Sequence, residues 1–322
     1  MNKIKLLLLL NCSLITSCVS QNISQKIQPF PENKSIYAEK IKVNEIIAID
    51  GIDVKKGNVF VTDSRNKNAM LYQYSPPEFK CIYKDGIMGG GENEFQTPPS
   101  ICKNTSDIIY IRGYTPFLIK GFMLDTTNHL SLEKEFRIPF SDGMANFMNV
   151  VNDSILIYSM FPNKLDIEKI NLNSQQKTGQ ILIEQSQEEI FFDMNRGYLA
   201  ANDSLIIYAY TYKKQIDFYR VSDMSLCKRL IDSSITPNVV VGNIKETKFI
   251  QRELVAGKNY FYIRCPKKGG GCFIEVFDYL GHSIAKYELD ILLYAFGVDE
   301  RNRIIYGYNS DIFEDGFLKY AY

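Results

Sequence analysis

An all-β chain folded as a six-bladed β-propeller of four-stranded blades, its ring closed by an N-terminal strand, is predicted by three observations. First, one pattern recurs six times: a turn residue followed by an apolar, aromatic-rich run. Its anchors are Asn58, Asp107, Ser154, Ser204, Asn259 and Arg303, at steps of 49, 47, 50, 55 and 44 residues. A repeat of that length is typical of propeller blades. Second, the runs, such as Ile155-Leu156-Ile157-Tyr158 and Leu205-Ile206-Ile207-Tyr208, do not alternate between apolar and polar residues. Such strands must be buried on both faces, as an inner blade strand is. Third, the segments between runs read as further short strands, with no convincing amphipathic helix, so each repeat holds four strands.

In the fourth repeat the segment from Phe191-Phe192 to Tyr198-Leu199 precedes the run. Ile216 to Val221 and Leu226 to Ile231 follow it, and the former alternates as a more exposed strand does. The sixth repeat ends on Phe317 to Tyr322, its third strand. The stretch Tyr37 to Val43 stands before the first repeat, and it is expected to supply the missing outer strand. Closure of this kind removes an exposed edge and pairs its backbone groups.

Composition fits a folded domain. The 322 residues are 45 % apolar and 23 % charged, with 21 Tyr and 20 Phe, a balance that excludes a disordered chain and favours strands. Net charge is zero. Losing Lys3 and Lys5 with residues 1–17 leaves 35 basic against 37 acidic groups. No basic excess draws a phosphate backbone, so nucleic acid is not an expected partner.

Lys3, Lys5 and the apolar run Leu6 to Leu10 have the layout of a secretory signal peptide. The run is too short to span a bilayer. Ile15-Thr16-Ser17-Cys18 resembles a bacterial lipobox. That resemblance implies lipidation of Cys18 and a firm anchor, since each buried CH₂ contributes about 0.8 kcal/mol. The domain reading is 1–17 signal peptide, 18–36 lipidated flexible tether (polar, punctuated by Pro29 and Pro31) and 37–322 propeller. Localisation follows as a lipid-anchored protein of the cell envelope, at the outer membrane. No acidic run follows Cys18, which favours the periplasmic side.

Gly86-Ile87-Met88-Gly89-Gly90-Gly91-Glu92-Asn93-Glu94-Phe95-Gln96-Thr97-Pro98 resembles the Gly-x-x-Glu-Phe-x-x-Pro link between blades of NHL-type and TolB-like six-bladed propellers. With the lipobox, residues 37–322 resemble the TolB-like propeller lipoproteins of Bacteroidetes. The resemblance is specific in the first two blades and generic later. At the end of the second blade Ile138-Pro139-Phe140 replaces the Gly-rich link. The family implies the fold and an envelope location, and no activity.

Five Cys follow Cys12 and Cys18. Cys265 and Cys272 bracket Pro266 to Gly271 at the ends of adjacent strands, so they are either a candidate disulfide or two buried thiols. A Cys81–Cys102 bond is a weaker alternative. Cys102 and Cys227 read as small buried residues. The two His, His129 and His282, lie in turn-like positions, and a His-based metal site or triad would need them to converge from distant blades. Asp63, Asp203 and Asp299 fit turn roles better than Ca²⁺ or acid/base roles. Gly89-Gly90-Gly91 lacks the Lys-Ser/Thr of a phosphate loop. No cofactor or metal is implied.

Loops on one propeller face gather around the central channel, and here they carry Tyr and Arg, the residue types of interaction hot spots. The candidate ligand-binding residues are Arg65, Arg112, Tyr114, Tyr210, Tyr212, Arg264 and Tyr308. Three functions follow. The first is a non-catalytic envelope lipoprotein binding a protein, peptide or other ligand on that face. The second is a hydrolase or lactonase-like enzyme with an acidic or metal site at the channel mouth. The third is a carbohydrate-binding envelope protein, which the absence of Trp weakens.

Overall fold

Each of the six apolar runs forms the second strand of a separate sheet, and the six sheets form the blades of a propeller. The computed structural model describes residues 23–45, 48–89, 94–95, 99–113, 118–125, 130–138 and 145–322. Three N-terminal strands come first: β1 (Ser24–Lys26), β2 (Glu32–Ile36) and β3 (Glu39–Lys42). Blade 1 holds β4 (Gly51–Lys55), β5 (Asn58–Thr62), β6 (Leu71–Ser75) and β7 (Lys80–Asp85). Blade 2 holds β8 (Ser100–Cys102), β9 (Ile109–Gly113), β10 (Leu118–Leu124) and β11 (Leu130–Arg137). Blade 3 holds β12 (Asn146–Val151), β13 (Ile155–Ser159), β14 (Ile167–Asn171) and β15 (Gln176–Ile181). Blade 4 holds β16 (Gly197–Ala201), β17 (Leu205–Tyr210), β18 (Gln215–Arg220) and β19 (Leu226–Ile231). Blade 5 holds β20 (Glu253–Ala256), β21 (Tyr260–Pro266), β22 (Cys272–Asp278) and β23 (Ser283–Leu289). Blade 6 holds β24 (Ala295–Asp299), β25 (Ile304–Asn309) and β26 (Phe313–Ala321).

The core is divided among the six blade interfaces. On β17, Ile206, Tyr208 and Tyr210 pack with Ile157 and Ile167 of blade 3. Their neighbours Ile207 and Ala209 point the other way, onto Phe261 and Ile263 of blade 5. The same division holds on β13, where Leu156 and Tyr158 face blade 2 and Ile157 faces blade 4. Alternate side chains are therefore all apolar, each set filling a different interface. Truncating a residue such as Ile207, which is fully buried, would open a void costing about 2–5 kcal/mol.

β3 pairs antiparallel with β26 and becomes the fourth strand of blade 6, as the sequence predicted. Val43, just beyond it, is buried between blades 6 and 1. Gly316 sits so close to the Ile41 carbonyl that a side chain there would collide with backbone.

Three expectations are corrected. Residues 24–36 are not a flexible tether. β1 adds in parallel to β19, and β2 adds in parallel to β23, as fifth strands of blades 4 and 5. Three apolar side chains in this polar stretch hold it: Ile27 and Ile36 are buried, and Phe30 meets Phe277 edge-on at 5.2 Å. The third strand of blade 4 is not exposed either, because β19 and β1 cover it, and Gln215 to Tyr219 are all buried. The segment at Phe191-Phe192 is a 3₁₀ turn (Ile190–Phe192), and the first strand of the blade starts at Gly197.

In the Gly-rich link, Gly90–Asn93 and Gln96–Pro98 lie outside the described residues, as does Pro139-Phe140. Phe95 itself is buried between blades 1 and 2. Gly86 makes room for it with a φ of +86°, where a Cβ would stand 3.1 Å from the Phe95 ring.

Deleting residues 37–44 removes the closing strand and the buried Val43, a side chain whose burial contributes about 1.5–3 kcal/mol. The melting temperature should fall by roughly 5 °C or more. An unchanged melting curve would show that this strand does not close the ring.

Candidate functional site

The first strands of the blades line the central channel, and the links between blades deliver the chain to one end of it. There a cavity of about 500 Å³ opens on the axis. All six blades contribute to its wall, through residues such as Gly51, Ser100, Asn146, Tyr198, Glu253 and Tyr294. Its described lining carries four cations, Lys103, Arg112, Arg252 and Arg264, against two carboxylates, Asp50 and Glu253.

The cations are placed by different devices. Arg264 stands on β21 directly opposite Glu253 on β20. Its Nε donates to Glu253 Oε2 at 3.3 Å, and no protein acceptor meets its terminal nitrogens among the described residues. Arg252 precedes β20, where its backbone N–H donates to the Arg264 carbonyl at 2.9 Å. Its guanidinium lies 4.5 Å from the Phe249 ring, a cation–π contact. Arg112 on β9 donates to the Ala145 carbonyl and lies 3.1 Å from Met148 Sδ, holding the start of blade 3. Lys103 donates to the Ile52 carbonyl of blade 1. An aromatic wall completes the mouth: Phe147 and Tyr198 are 4.7 Å apart with their rings tilted by 49°. Phe147 holds a φ of +48°, a strained setting for a non-glycine residue.

Both carboxylates are committed. Asp50 Oδ2 accepts the Ser64 N–H at 2.6 Å. Glu253 is held above the ordinary carboxylate range, because its removal from water outweighs the pull of Arg264 and Lys103.

The predicted ligand residues divide. Arg112 and Arg264 line the cavity. Tyr114 lies outside the described residues. Arg65 is exposed on the β5–β6 connection and does not line the cavity. Tyr210, Tyr212 and Tyr308 are buried and serve the framework instead. Tyr210 donates to Asp217 at 2.9 Å, within a buried cluster. Arg229 grips both oxygens of Asp217 at 2.7 and 2.6 Å, and Tyr219 and Gln215 complete the set. Tyr212 donates to the Phe191 carbonyl, and Tyr308 fills the interface of blades 6 and 1. Sequence reasoning missed Arg252, Phe147, Tyr198 and Tyr294.

Cys265 and Cys272 are free thiols. Cys265 lies opposite Phe273, and Cys272 opposite Pro266, so the two side chains point to opposite faces of the sheet. Cys265 faces blade 4 and Cys272 faces blade 6. Burial pushes the two thiols up to about 12 and about 11. Cys81 and Cys102 are free as well, and Cys102 is buried. Cys18 lies outside the described residues.

The acidic turn residues act on backbone. Asp63 accepts from the N–H groups of Ala48, Arg65 and Asn66, Asp203 from that of Asn152, and Asp299 from that of Asn302. His282 is tied at Nδ1 to Asp278 of its own turn at 2.8 Å, and His129 lies outside the described residues. Among the described residues no group of three or more His, Cys, Asp and Glu is placed to hold a metal ion.

The opposite end of the channel holds a wider depression, of about 1,110 Å³. Its described lining carries four cations, Lys55, Lys56, Lys258 and Arg301, against four carboxylates, Asp53, Asp107, Asp299 and Glu300, so its charges balance. Lys55 donates to the carbonyl and side chain of Asn104 at 2.6 and 3.1 Å, beside Asp53. Glu300 accepts the Asn259 and Tyr260 N–H groups at 2.9 and 3.0 Å. The end bearing Arg252 and Arg264 is thus the better candidate site.

Two measurements test these assignments. Asp217→Ala leaves a partly buried guanidinium and two buried hydroxyls without their acceptor, and should cost about 3 kcal/mol in denaturant unfolding. A loss below about 1 kcal/mol would mean that the cluster is not structural. For Glu253, the folded-state pKa exceeds the ordinary value of 4.5. Its contribution to stability is therefore complete below that pH and lost as pH rises through the raised value. Glu253→Gln removes this titration, so the variant's melting temperature relative to wild type should climb as pH rises above about 4.5. A relative melting temperature that falls over that window contradicts the assignment.

Comparisons with known proteins bear on the fold. No family model matches the chain, and no curated protein matches it. Solved structures do. One is the crystal structure of a "Putative exported protein" from Bacteroides fragilis NCTC 9343, with a TM-score of 0.54 at 11 % identity, covering 92 % of this chain and 98 % of that one. At that identity the likeness establishes the architecture the two chains share.

Proposed function

We propose that this protein is an exported, lipid-anchored envelope protein whose propeller binds a ligand at the channel mouth without transforming it. The observation that carries the reading is the concave site on the axis, built by all six blades and lined by cations and aromatic rings. Its volume of about 500 Å³ falls in the range of small-ligand sites. A glycosidase-type hydrolase there would need a second carboxylate beside Glu253 to divide the roles of acid and nucleophile or base. Asp50 is bound to the Ser64 N–H, and Glu253 is bound to Arg264. A protein or peptide partner would reach the mouth with a projecting side chain or chain end. A sugar would use Tyr198 and Tyr294 as stacking faces.

Export and anchoring rest on residues 1–17 and the lipobox ending at Cys18, and the exported name of the Bacteroides fragilis neighbour agrees with them. The same features support a place among the TolB-like propeller lipoproteins of Bacteroidetes, on the periplasmic side of the outer membrane. Only five residues separate Cys18 from Ser24, the first residue of β1. Fully extended, they reach about 20 Å. A lipid on Cys18 would hold the outer edge of blade 4 that close to the bilayer.

The test is affinity capture of the tagged full-length protein from native envelopes, wild type against Arg252→Ala, with melting curves recorded for both. A ligand or partner enriched by wild type and lost from an equally stable Arg252→Ala protein supports binding at the mouth. Recovery of nothing above background, or equal recovery by both proteins, overturns it.

A further inference from the structure

We propose that the channel mouth takes a small organic carboxylate carrying a planar ring, its carboxylate held by Arg252 and Arg264 and its ring laid against Phe147 and Tyr198. The inference rests on the mouth being a binding site and adds the chemical class of its ligand.

The charge balance of the mouth points to an anion. Four cations face two carboxylates among the described lining residues. Arg112 and Lys103 spend donors on the carbonyls of Ala145 and Ile52. Arg252 stacks on Phe249 and has no carboxylate partner among the described residues. Its Nε is buried without an acceptor among the described residues. Arg264 uses its Nε on Glu253 and leaves its terminal nitrogens for another acceptor. A buried donor without an acceptor is costly, and a carboxylate presents two oxygens that a guanidinium fork engages in its own plane.

The rest of the mouth sets the body of the ligand. Arg252 opens the first strand of blade 5, Tyr198 lies on that of blade 4 and Phe147 on that of blade 3, so anion donors and aromatic wall adjoin around the ring. The two rings are tilted rather than stacked, which leaves each a face for an edge-on or offset partner. A cavity of about 500 Å³ accommodates one aromatic ring with a short acidic arm.

The experiment is isothermal titration of full-length protein in detergent with three probes: N-acetyl-L-phenylalanine, its uncharged amide, and benzyl phosphate. The acid should bind, and the amide at least about tenfold more weakly, the scale of a charge-assisted hydrogen bond. Arg252→Gln and Arg264→Gln, with melting curves matching wild type, should each weaken the acid by a similar factor. Glu253→Gln should tighten it, because it frees Arg264 and removes a competing charge. Equal binding of acid and amide overturns the proposal, as does tighter binding of benzyl phosphate, or no binding of any probe. If the proposal fails while capture from envelopes still depends on Arg252, the mouth remains a binding site for another ligand class. Loss of both removes the site itself.

Discussion

Burial of each blade's second strand on both faces is the constraint on which this molecule depends. A strand such as β17 sends Ile206 and Tyr208 into one interface and Ile207 and Ala209 into the other. Neither set can leave water unless a blade stands on each side. No blade has a complete core of its own, and the hydrophobic clusters are properties of neighbouring pairs. Stacking in a line would expose the two end blades. A ring removes the ends, and β3 joins the last blade to the first by covalent continuity as well as by pairing.

The same logic accounts for the N-terminal strands. Outer strands present unpaired backbone at the rim, an open template for other chains. β1 and β2 cover two of these edges, on blades 4 and 5, before β3 completes blade 6. The N-terminal segment thus runs along three consecutive blades. Between blades 4 and 5 an ion cluster adds to the apolar packing: Glu275 is met by Lys214 from blade 4 and by Lys286 at 3.4 Å. A buried cluster of this kind adds little net stability and penalises misregistered docking.

The architecture was legible in the sequence because its cause is local. Six apolar runs without alternation, at a steady spacing, state that six strands are buried on both faces. What escaped was set by tertiary context. Ile27, Phe30 and Ile36 are three apolar residues in a stretch that is otherwise polar, and composition outweighed them. Cys265 and Cys272 are close along the chain, yet the strand pleat turns them to opposite faces. Tyr210 and Tyr308 lie within the paired second strands of blades 4 and 6, where a loop was expected, and Tyr212 is buried just beyond β17. Arg112 and Arg264 were expected on loops of one face, and they line the mouth from within the second strands β9 and β21 instead. Arg252, Phe147 and Tyr294 sit at blade entrances, where the repeat has no fixed length and the periodicity carries no information.

The two ends of the channel differ in charge balance, with four cations to four carboxylates at the wider end and four to two at the other, and this singles out one of them. A propeller needs polar residues at both ends, because the chain turns there and its backbone groups require partners. At the wider end those needs are met internally, by Lys55 on Asn104 and by Glu300 on two N–H groups. Folding alone explains those residues. At the other end Arg252 serves no carboxylate among the described residues, and Arg264 spends one donor of its fork. Phe147 holds a left-handed backbone conformation beside Tyr198. Cations beyond the number of their counterions cost stability through repulsion and desolvation. Lys103 and Arg112 spend donors on carbonyls of neighbouring blades, and Arg252 and Arg264 are the two whose donors that account leaves over. Their excess at one end of the axis is what a site shaped for an anion from outside the chain requires.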